Sequence, residues 1–182
     1  MPHWKDGPLS VRPLRDSDAA LLLRWLTDPR VLEFYEGRDA HFTPETIREE
    51  FFDGALTRLI VEWEGRPAGY VQLYPVEGED REEYAFDGPE QRVFAMDQFL
   101  GEPELWGHGV GRRFIRLLLE FLFGEKGAQA VLLDPHTDNV RAIRCYEACG
   151  FRKEKLLPAH ELHEGTMRDC WLMVCREPRR RD

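Results

Sequence analysis

Residues 104–124 read ELWGHGVGRRFIRLLLEFLFG, and this stretch decides the fold more than any other part of the chain. Glycines occupy the alternate positions 107, 109 and 111, two arginines follow, and the apolar residues after them predict a buried helix. Glycine permits positive φ and a close approach of backbone to ligand, and the first N–H groups of a helix attract anions. By itself the stretch fits two interpretations, a phosphate cradle and a simple turn.

Better-known catalytic and phosphate-binding motifs do not fit this chain. The glycine stretch is neither G-x-x-x-x-G-K-[ST] nor G-x-G-x-x-G, which excludes a nucleotide P-loop and a dinucleotide fold. The only serines, Ser10 and Ser17, lie outside any G-x-S-x-G, so a serine hydrolase is excluded. His160 and His163 lie in HELHEG, which is not H-E-x-x-H and has no third ligand, so we expect no metal.

Length and composition predict one domain over residues 1–182, with a folded part at about 9–177 and a frayed tail at the C-terminus, 178–182. No run of about 18 apolar residues and no apolar leader occur, so we expect neither a membrane span nor a secretory signal. The four cysteines form no C-x-x-C and are expected to be reduced thiols in a cytoplasmic protein.

The charge balance narrows the choice of partner. Thirty-four acidic residues against 25 Lys and Arg leave a net charge of −9. Nucleic acids and anionic membranes bind basic surfaces, so neither is expected as a partner. The acidity permits a cationic substrate, although it could also serve solubility alone.

Periodicity and turn signals predict the element order βααβββαβαββ, which is typical of an α+β fold with a mixed sheet. Strands are expected at residues 9–14, 58–63, 68–74, 92–100, 130–133, 151–157 and 169–175, and helices at 17–26, 43–54, 109–124 and 138–149. Asp16 and Thr43 are expected to cap the first two helices, and Gly150 to end the last. Residues 77–90 carry seven acids and one arginine and are expected to form a solvated, mobile loop or to lie near a cationic ligand.

Residues 134–153, DPHTDNVRAIRCYEACGFRK, combine a strand end, a loop and a helix. Together with the glycine stretch, this segment resembles the GNAT superfamily of acetyl-CoA-dependent N-acyltransferases. The diphosphate loop of that family, Q/R-x-x-G-x-G/A, falls on Trp106, Gly109 and Gly111. Trp106 departs from the usual Gln or Arg, which weakens the match without breaking it because the cradle works through backbone N–H groups. The family's N…A…Y…GF helix falls on Asn139, Ala142, Tyr146, Gly150 and Phe151.

The resemblance extends from about residue 11 to 175. RWLTDPRVLEFYEGRD (24–39), AMDQFLGEPELW (95–106) and LPAHELHEG (157–165) are similar to the aminoglycoside 6'-N-acetyltransferases, above all to the acetyltransferase half of bifunctional acetyltransferase–phosphotransferases. It implies an α+β (mixed α/β) GNAT acyl-CoA N-acyltransferase fold, with a central mixed, largely antiparallel sheet flanked by helices. It further implies acetyl-CoA as cosubstrate, direct attack by an aminoglycoside 6'-amine in a ternary complex, and antibiotic resistance. Whether the protein is a monomer or a homodimer stays open.

The same resemblance implies a set of acetyl-CoA contacts. The strand before the glycine loop would contact the pantetheine through its backbone, and the loop would hold the diphosphate. The residues implied are Gln98, Phe99, Leu100, Trp106, Gly107, His108, Gly109, Val110, Gly111, Arg112 and Asn139. Arg113 would add charge at the loop. For Asn139, bonding to pantetheine and capping of its own helix are equal alternatives.

Two catalytic residues follow from the resemblance. Asp97, of the DQ motif, would position the aminium and accept its proton, directly or through water; the alternative is an electrostatic anchor. A carboxylate of ordinary pKa is a poor base for an alkyl amine, so desolvation or relief of repulsion between amines must assist it. Tyr146 would donate a proton to the leaving thiolate, and the alternative is a core aromatic residue.

A substrate with several amines requires several acids. Asp134, of the DP motif, is expected to bind a second amine. Gln72 and Tyr74 match substrate-wall positions, Tyr35 would stack on a sugar ring, and Glu161 and Glu164 would reach in from a late loop; each has an ordinary core or surface role as its alternative.

Three hypotheses for the function remain. The first is an aminoglycoside 6'-N-acetyltransferase, and the second an acetyltransferase for another amine, such as a protein N-terminus or a siderophore hydroxylamine. The third is an acyl-CoA sensor without turnover. The high acid content favours the first over the second.

Overall fold

A computed structural model describes residues 4–177. The strands are β1 Trp4–Asp6, β2 Leu9–Pro13, β3 Thr57–Trp63, β4 Arg66–Pro75, β5 Val93–Leu100, β6 Ala130–Leu133, β7 Arg152–His163 and β8 Thr166–Arg176. The helices are α1 Ala19–Trp25, α2 Pro29–Leu32, α3 Pro44–Phe51, α4 Glu79–Glu83, α5 Val110–Gly124 and α6 Val140–Glu147. The tail expected at 178–182 lies outside the described residues. Among the described helices, none has the length and apolar character needed to cross a bilayer.

The chain divides into two compact units that interleave along the sequence. Unit 1 consists of the residues up to Leu73, Asp97–Phe114 and His163–Gly165; unit 2 consists of Tyr74–Met96, Ile115–Leu162 and the residues from Thr166 onward. Strands β4 and β5 and helix α5 each contribute residues to both units. The expectation of one domain over the whole chain stays a prediction.

Unit 1 is an antiparallel meander with helices packed on it. Strands β1 to β4 follow one another in space, with Val11 opposite Val61 and Ile60 opposite Tyr70, and a β-bulge interrupts β3 after Val61. The apolar core consists mainly of side chains from the helices α1, α2 and α3 and from the strands β3, β4 and β5, among them Leu22, Trp25, Ile47, Phe51, Ile60, Tyr70 and Phe99.

In unit 2 the strands lie in the order β5-β6-β8-β7. Strands β5 and β6 are parallel, with Val93 opposite Ala130, whereas β6 and β8 are antiparallel, with Val131 opposite Cys175. Every residue of β6 is buried, as its uninterrupted apolar sequence predicts for a strand covered on both faces. The mixed, largely antiparallel sheet with flanking helices confirms the predicted fold class.

The predicted elements are largely confirmed. Helix α3 begins after Thr43, whose side chain accepts a hydrogen bond from the N–H of Thr46, and the helix over 109–124 is α5. Strand β1, helix α2 and helix α4 were not predicted, and β7 and β8 are longer than expected. All four cysteines are free thiols, as expected.

Two local predictions were wrong. Asp16 does not cap the first helix: the segment opens as a 3-10 turn, and Asp18 instead accepts a hydrogen bond from the N–H of Arg15 at 2.8 Å. Residues 77–90 are not simply a solvated loop. They contain α4, and the side chains of Tyr84 and Phe86 belong to the core of unit 2. Burial of these two aromatic rings offsets the cost of ordering an acidic segment.

Candidate active site

Asp97 lies on β5 beside the side chain of Gln72 on β4. The Gln72 Nε2 atom donates to Oδ2 of Asp97 at 2.8 Å, and Oε1 of Gln72 accepts from the Tyr70 hydroxyl at 3.0 Å. Asp97 and Gln72 are half-buried, whereas Tyr70 is fully buried. The fold therefore brings a predicted catalytic residue and a predicted substrate-wall residue into direct contact.

The end of β5 is enclosed by aromatic side chains. The ring of Phe99 stacks on Tyr70 at a centroid distance of 5.5 Å, and Tyr35 and Trp25 meet it edge-on at 4.7 and 5.8 Å. Tyr35, predicted to stack on a sugar, is thus already half-buried against Phe99. The side chain of Phe99 belongs to the core, so its predicted contact with pantetheine rests on its backbone.

Gly69 is a residue of this region that sequence analysis missed. A Cβ atom at position 69 would lie 2.5 Å from the carbonyl oxygen of Phe99 and 3.2 Å from Cα of Leu100. The backbone of β4 therefore approaches the predicted pantetheine-contacting strand more closely than any side chain allows. A glycine inside a strand is the sequence signal for such an approach.

The glycine stretch forms the turn into α5. Gly107 and Gly109 have φ of +78° and +83°, and a Cβ atom at either position would meet nothing within 4 Å. Helix α5 then begins at Val110, so the glycines are needed for backbone conformation and leave open space beside the first N–H groups of the helix. His108 and Arg112 are exposed at the same turn, and Gly111 lies within the first turn of the helix.

The side chain of Trp106 fixes the start of this turn. Its indole N–H donates to the carbonyl oxygen of Leu100 at 2.9 Å, and its ring packs against the core of unit 1. A tryptophan at the position where the family usually has Gln or Arg therefore ties the loop to the end of β5.

Arg113 does not contribute charge to the loop, contrary to expectation. Its guanidinium donates to the carboxylate of Asp6 at 3.1 and 3.2 Å and lies 5.5 Å above the ring of Trp63. The charge of Arg113 is therefore paired with Asp6 of β1.

In unit 2, Asn139 and Tyr146 lie at the two ends of α6. Oδ1 of Asn139 accepts from the N–H of Ala142 at 3.2 Å, so the capping interpretation describes its side chain. The half-buried Tyr146 packs on Phe151 at a centroid distance of 6.0 Å. Gly150, at φ +100°, reverses the chain, as predicted, and brings the N–H of Phe151 to the carbonyl of Tyr146.

Asp134 at the end of β6 is paired with His160 of β7. His160 Nε2 lies 3.1 Å from Oδ2 of Asp134. This hydrogen bond is the main cause that raises the pKa of His160, burial opposes it, and the charges of Asp134, Glu83 and Glu161 reinforce it. The sequence pattern indicates His160 only as a candidate metal ligand and does not predict this pairing.

Further polar pairs extend this part of unit 2. Glu161 Oε2 lies 3.0 Å from Nε2 of the buried His136, and the hydroxyls of Tyr74 and Tyr84 are 2.7 Å apart. The ring of Tyr84 lies 6.4 Å from that of His160. Three predicted substrate residues, Asp134, Glu161 and Tyr74, therefore belong to one unit, and each forms a hydrogen bond with a neighbouring side chain.

Glu164 belongs to unit 1, in the turn between β7 and β8. Its carboxylate accepts from the backbone N–H of Arg38 at 3.0 Å and from Nε and Nη2 of the Arg38 guanidinium at 2.5 and 2.7 Å. The guanidinium hydrogen bond, more than any other cause, lowers the pKa of Glu164 to about 2. Any role of Glu164 toward a substrate amine would have to compete with Arg38.

Comparison with known proteins places the chain in a family. Residues 15–158 match the acetyltransferase (GNAT) domain, so the chain belongs to the GNAT family and is an acetyltransferase. It is 30% identical over 151 residues to aminoglycoside N(6')-acetyltransferase type 1 of Klebsiella pneumoniae, a match that covers 80% of this chain and 75% of that protein.

Solved structures agree with this assignment. AAC(6')-Ib in complex with ribostamycin and coenzyme A is 26% identical, with a TM-score of 0.78, and the match covers 96% of this chain and 98% of that one. AAC(6')-Ib in complex with coenzyme A and kanamycin is 26% identical, with a TM-score of 0.76 and coverages of 93% and 95%. The predicted family and fold are confirmed.

Proposed function

We propose that this acetyltransferase transfers the acetyl group of acetyl-CoA to the 6'-amine of aminoglycoside antibiotics and thereby confers resistance. The observation that carries the proposal is the position of the Asp97 carboxylate. Asp97 lies on β5, the strand that leads into the glycine turn and α5, and it accepts a hydrogen bond from Gln72 on β4. Relatives named aminoglycoside N(6')-acetyltransferase, and similar structures with aminoglycosides and coenzyme A bound, support the same substrates.

The proposed acetyl-CoA contacts are mainly backbone groups. The N–H groups from Gly107 to Arg112 would bind the diphosphate, since a glycine turn with positive φ followed by a helix start is suited to an anion. The backbone of Gln98, Phe99 and Leu100 would pair with the pantetheine amides. Asn139 would contribute only the part of its amide that does not cap α6.

Asp97 is the proposed proton acceptor. Its carboxylate would bind the 6'-aminium and take one proton, which leaves a neutral amine to attack the thioester carbonyl. The new C–N bond forms as the C–S bond breaks, and Tyr146 would donate its phenolic proton to the departing thiolate. The excess proton on the new amide nitrogen would pass through solvent and restore the Tyr146 phenol. A backbone N–H near Leu100 would stabilise the negative charge that develops on the carbonyl oxygen.

Acidic and aromatic side chains would hold the rest of the substrate. Asp134 and Glu161 are proposed to bind further amines, and Tyr74 and Tyr35 to contact sugar rings. The net charge of −9 favours a cationic substrate over nucleic acid or an anionic membrane. Four free thiols fit a reducing compartment, so we propose that the reaction takes place in the cytoplasm.

The test is thiol release from acetyl-CoA with three acceptors: kanamycin, a kanamycin analogue without the 6'-amine, and a small peptide amine. Release with kanamycin alone is expected, because only that acceptor offers the 6'-amine together with the additional amines. Thiol release with the peptide but not with kanamycin would indicate an acetyltransferase for another amine. Binding of acetyl-CoA without release from any acceptor would indicate a sensor.

A further inference from the structure

We propose that the Tyr70 hydroxyl orients the Gln72 amide so that it positions the carboxylate of Asp97, which makes Tyr70 and Gln72 positioning residues for the transfer reaction. The inference rests on the proposed role of Asp97. Three hydrogen-bonded side chains carry it: the Tyr70 hydroxyl lies 3.0 Å from Oε1 of Gln72, and Nε2 of Gln72 lies 2.8 Å from Oδ2 of Asp97.

The hydrogen-bonding roles of the side chains give this chain a direction. An ionised carboxylate can only accept hydrogen bonds, so the NH2 group of Gln72 must face Asp97. The amide oxygen of Gln72 then faces the Tyr70 hydroxyl and accepts its hydrogen bond.

The surroundings of the Tyr70 hydroxyl favour its protonated form. Burial is the largest cause acting on Tyr70 and raises the pKa far above the ordinary value of a tyrosine, and the Asp97 charge raises it further, while Arg58 partly opposes the shift. A protonated phenol can donate to Oε1 of Gln72, as the 3.0 Å contact between the two atoms requires.

The Tyr70 end of the chain lies in the core. The Tyr70 ring is fully buried, with Phe51 edge-on at 5.4 Å and Phe99 stacked at 5.5 Å. Arg58, opposite Gln72 in the pairing of β3 with β4, is 9% exposed, pairs with the carboxylate of Asp53 and donates to the carbonyl of Glu50 at 2.7 Å. A glutamine that only lined a substrate wall would not require a buried tyrosine behind it.

The consequence for catalysis is that the carboxylate of Asp97 is held in a defined position. Gln72 occupies Oδ2 of Asp97, and misplacement of a reacting group by about 1 Å can cost about a hundredfold in rate. Without the Tyr70 hydroxyl, the amide oxygen of Gln72 loses its hydrogen-bond donor, and the amide is less firmly held against Oδ2 of Asp97. The carboxylate can then leave the position from which it accepts the proton.

The experiment compares Tyr70→Phe, Gln72→Leu and the double variant in the kanamycin assay. Tyr70→Phe retains the buried ring and removes only the hydroxyl. We expect kcat to fall about tenfold to a hundredfold, with KM for acetyl-CoA unchanged. The acidic limb of the kcat/KM profile should move to higher pH, because a carboxylate that loses a donor becomes a weaker acid.

The double variant separates positioning from plain structural damage. Because Tyr70 acts through Gln72, the double variant should be no slower than Gln72→Leu alone, whereas independent structural effects would add. Ser10→Ala serves as control, since it removes another hydroxyl donor of unit 1, bonded to Glu62 at 3.0 Å, and should retain wild-type kinetics.

Two outcomes overturn the inference. One is wild-type kcat and pH profile in Tyr70→Phe while Asp97→Asn loses turnover; the proposed function then stands without this chain. The other is additive loss in the double variant. If Asp97→Asn itself retains full turnover, the proposed role of Asp97 fails first.

Discussion

The carboxylate of Asp134 and the imidazole of His160 form a hydrogen-bonded pair, with Oδ2 and Nε2 separated by 3.1 Å. Both side chains are only partly accessible, at 26% and 12% exposure. When His160 is protonated, the pair is neutral overall and Asp134 offers little charge to a substrate amine. When His160 is neutral, the full charge of Asp134 is available.

This pair predicts a pH dependence of substrate binding. The raised pKa of His160 means that its proton is lost only above the ordinary value of about 6.5. In the wild type, KM for kanamycin should fall as the pH rises through that window. In His160→Asn this fall should be absent, since the neutral amide does not titrate. Initial rates between roughly pH 5.5 and 8.5 provide the measurement, and equal pH dependence in both proteins would contradict the prediction.

The same pair predicts the pH dependence of stability. A group whose pKa is raised on folding contributes its stabilisation fully below the unfolded pKa and loses it as the pH rises through the folded pKa. The difference in unfolding free energy between the wild type and His160→Asn should therefore be largest at acidic pH. Urea unfolding at several pH values measures this difference in unfolding free energy. A difference that grows with pH would contradict a stabilising pair of Asp134 with protonated His160.

Asp97 and Asp134 should respond differently to neutral replacement. Asp97→Asn is expected to lower kcat about a hundredfold or more, as loss of a general base does. Asp134→Asn is expected to raise KM for kanamycin with little change in kcat, as loss of a binding contact does. Asp87→Asn, at an 86% exposed side chain, is the control and should change neither constant. If kcat fell in Asp134→Asn and stayed unchanged in Asp97→Asn, Asp134 would be the catalytic residue and Asp97 the binding residue.

Gly109→Ala tests the glycine turn. A side chain at φ +83° costs about 1–2 kcal/mol, and the turn relaxes by moving the first N–H groups of α5. We expect a several-fold higher KM for acetyl-CoA with KM for kanamycin unchanged. Gly124→Ala is the matched control: it lies at the other end of α5, and its added Cβ meets nothing within 4 Å. Equal KM values for acetyl-CoA in both variants would show that the glycine turn does not bind acetyl-CoA.

Arg12 should be the most costly charge to remove from unit 1. Its guanidinium donates to both oxygens of Asp18 at 2.7 and 2.9 Å and to Glu62 at 2.7 Å, with its side chain 7% exposed. Arg12→Met leaves a buried carboxylate unpaired, which costs about 3–5 kcal/mol of unfolding free energy. Arg30→Met, at a surface pair with Asp28, should leave urea unfolding nearly unchanged. Similar losses in both variants would contradict the argument.

Elements that depend on local patterns were predicted well. The glycine turn, the apolar helix after it, the Thr43 cap and the Gly150 stop each depend on residues a few positions apart. The hairpin of β3 and β4 follows from alternation around the short turn between them. The prediction of a solvated loop for residues 77–90 was wrong because it followed from the charges alone. The burial of Tyr84 and Phe86 depends on strands that are distant in the sequence.

The sequence by itself determined the family, the element order and the candidate residues, because motifs and periodicity are properties of neighbouring positions. Only the tertiary structure decided which of these residues have partners. Gln72 contacts Asp97 across 25 positions, Asp134 contacts His160 across 26, and Arg38 contacts Glu164 across 126. Strand pairing and chain reversal create such contacts, and the strength of each polar interaction depends on burial, which no local pattern encodes.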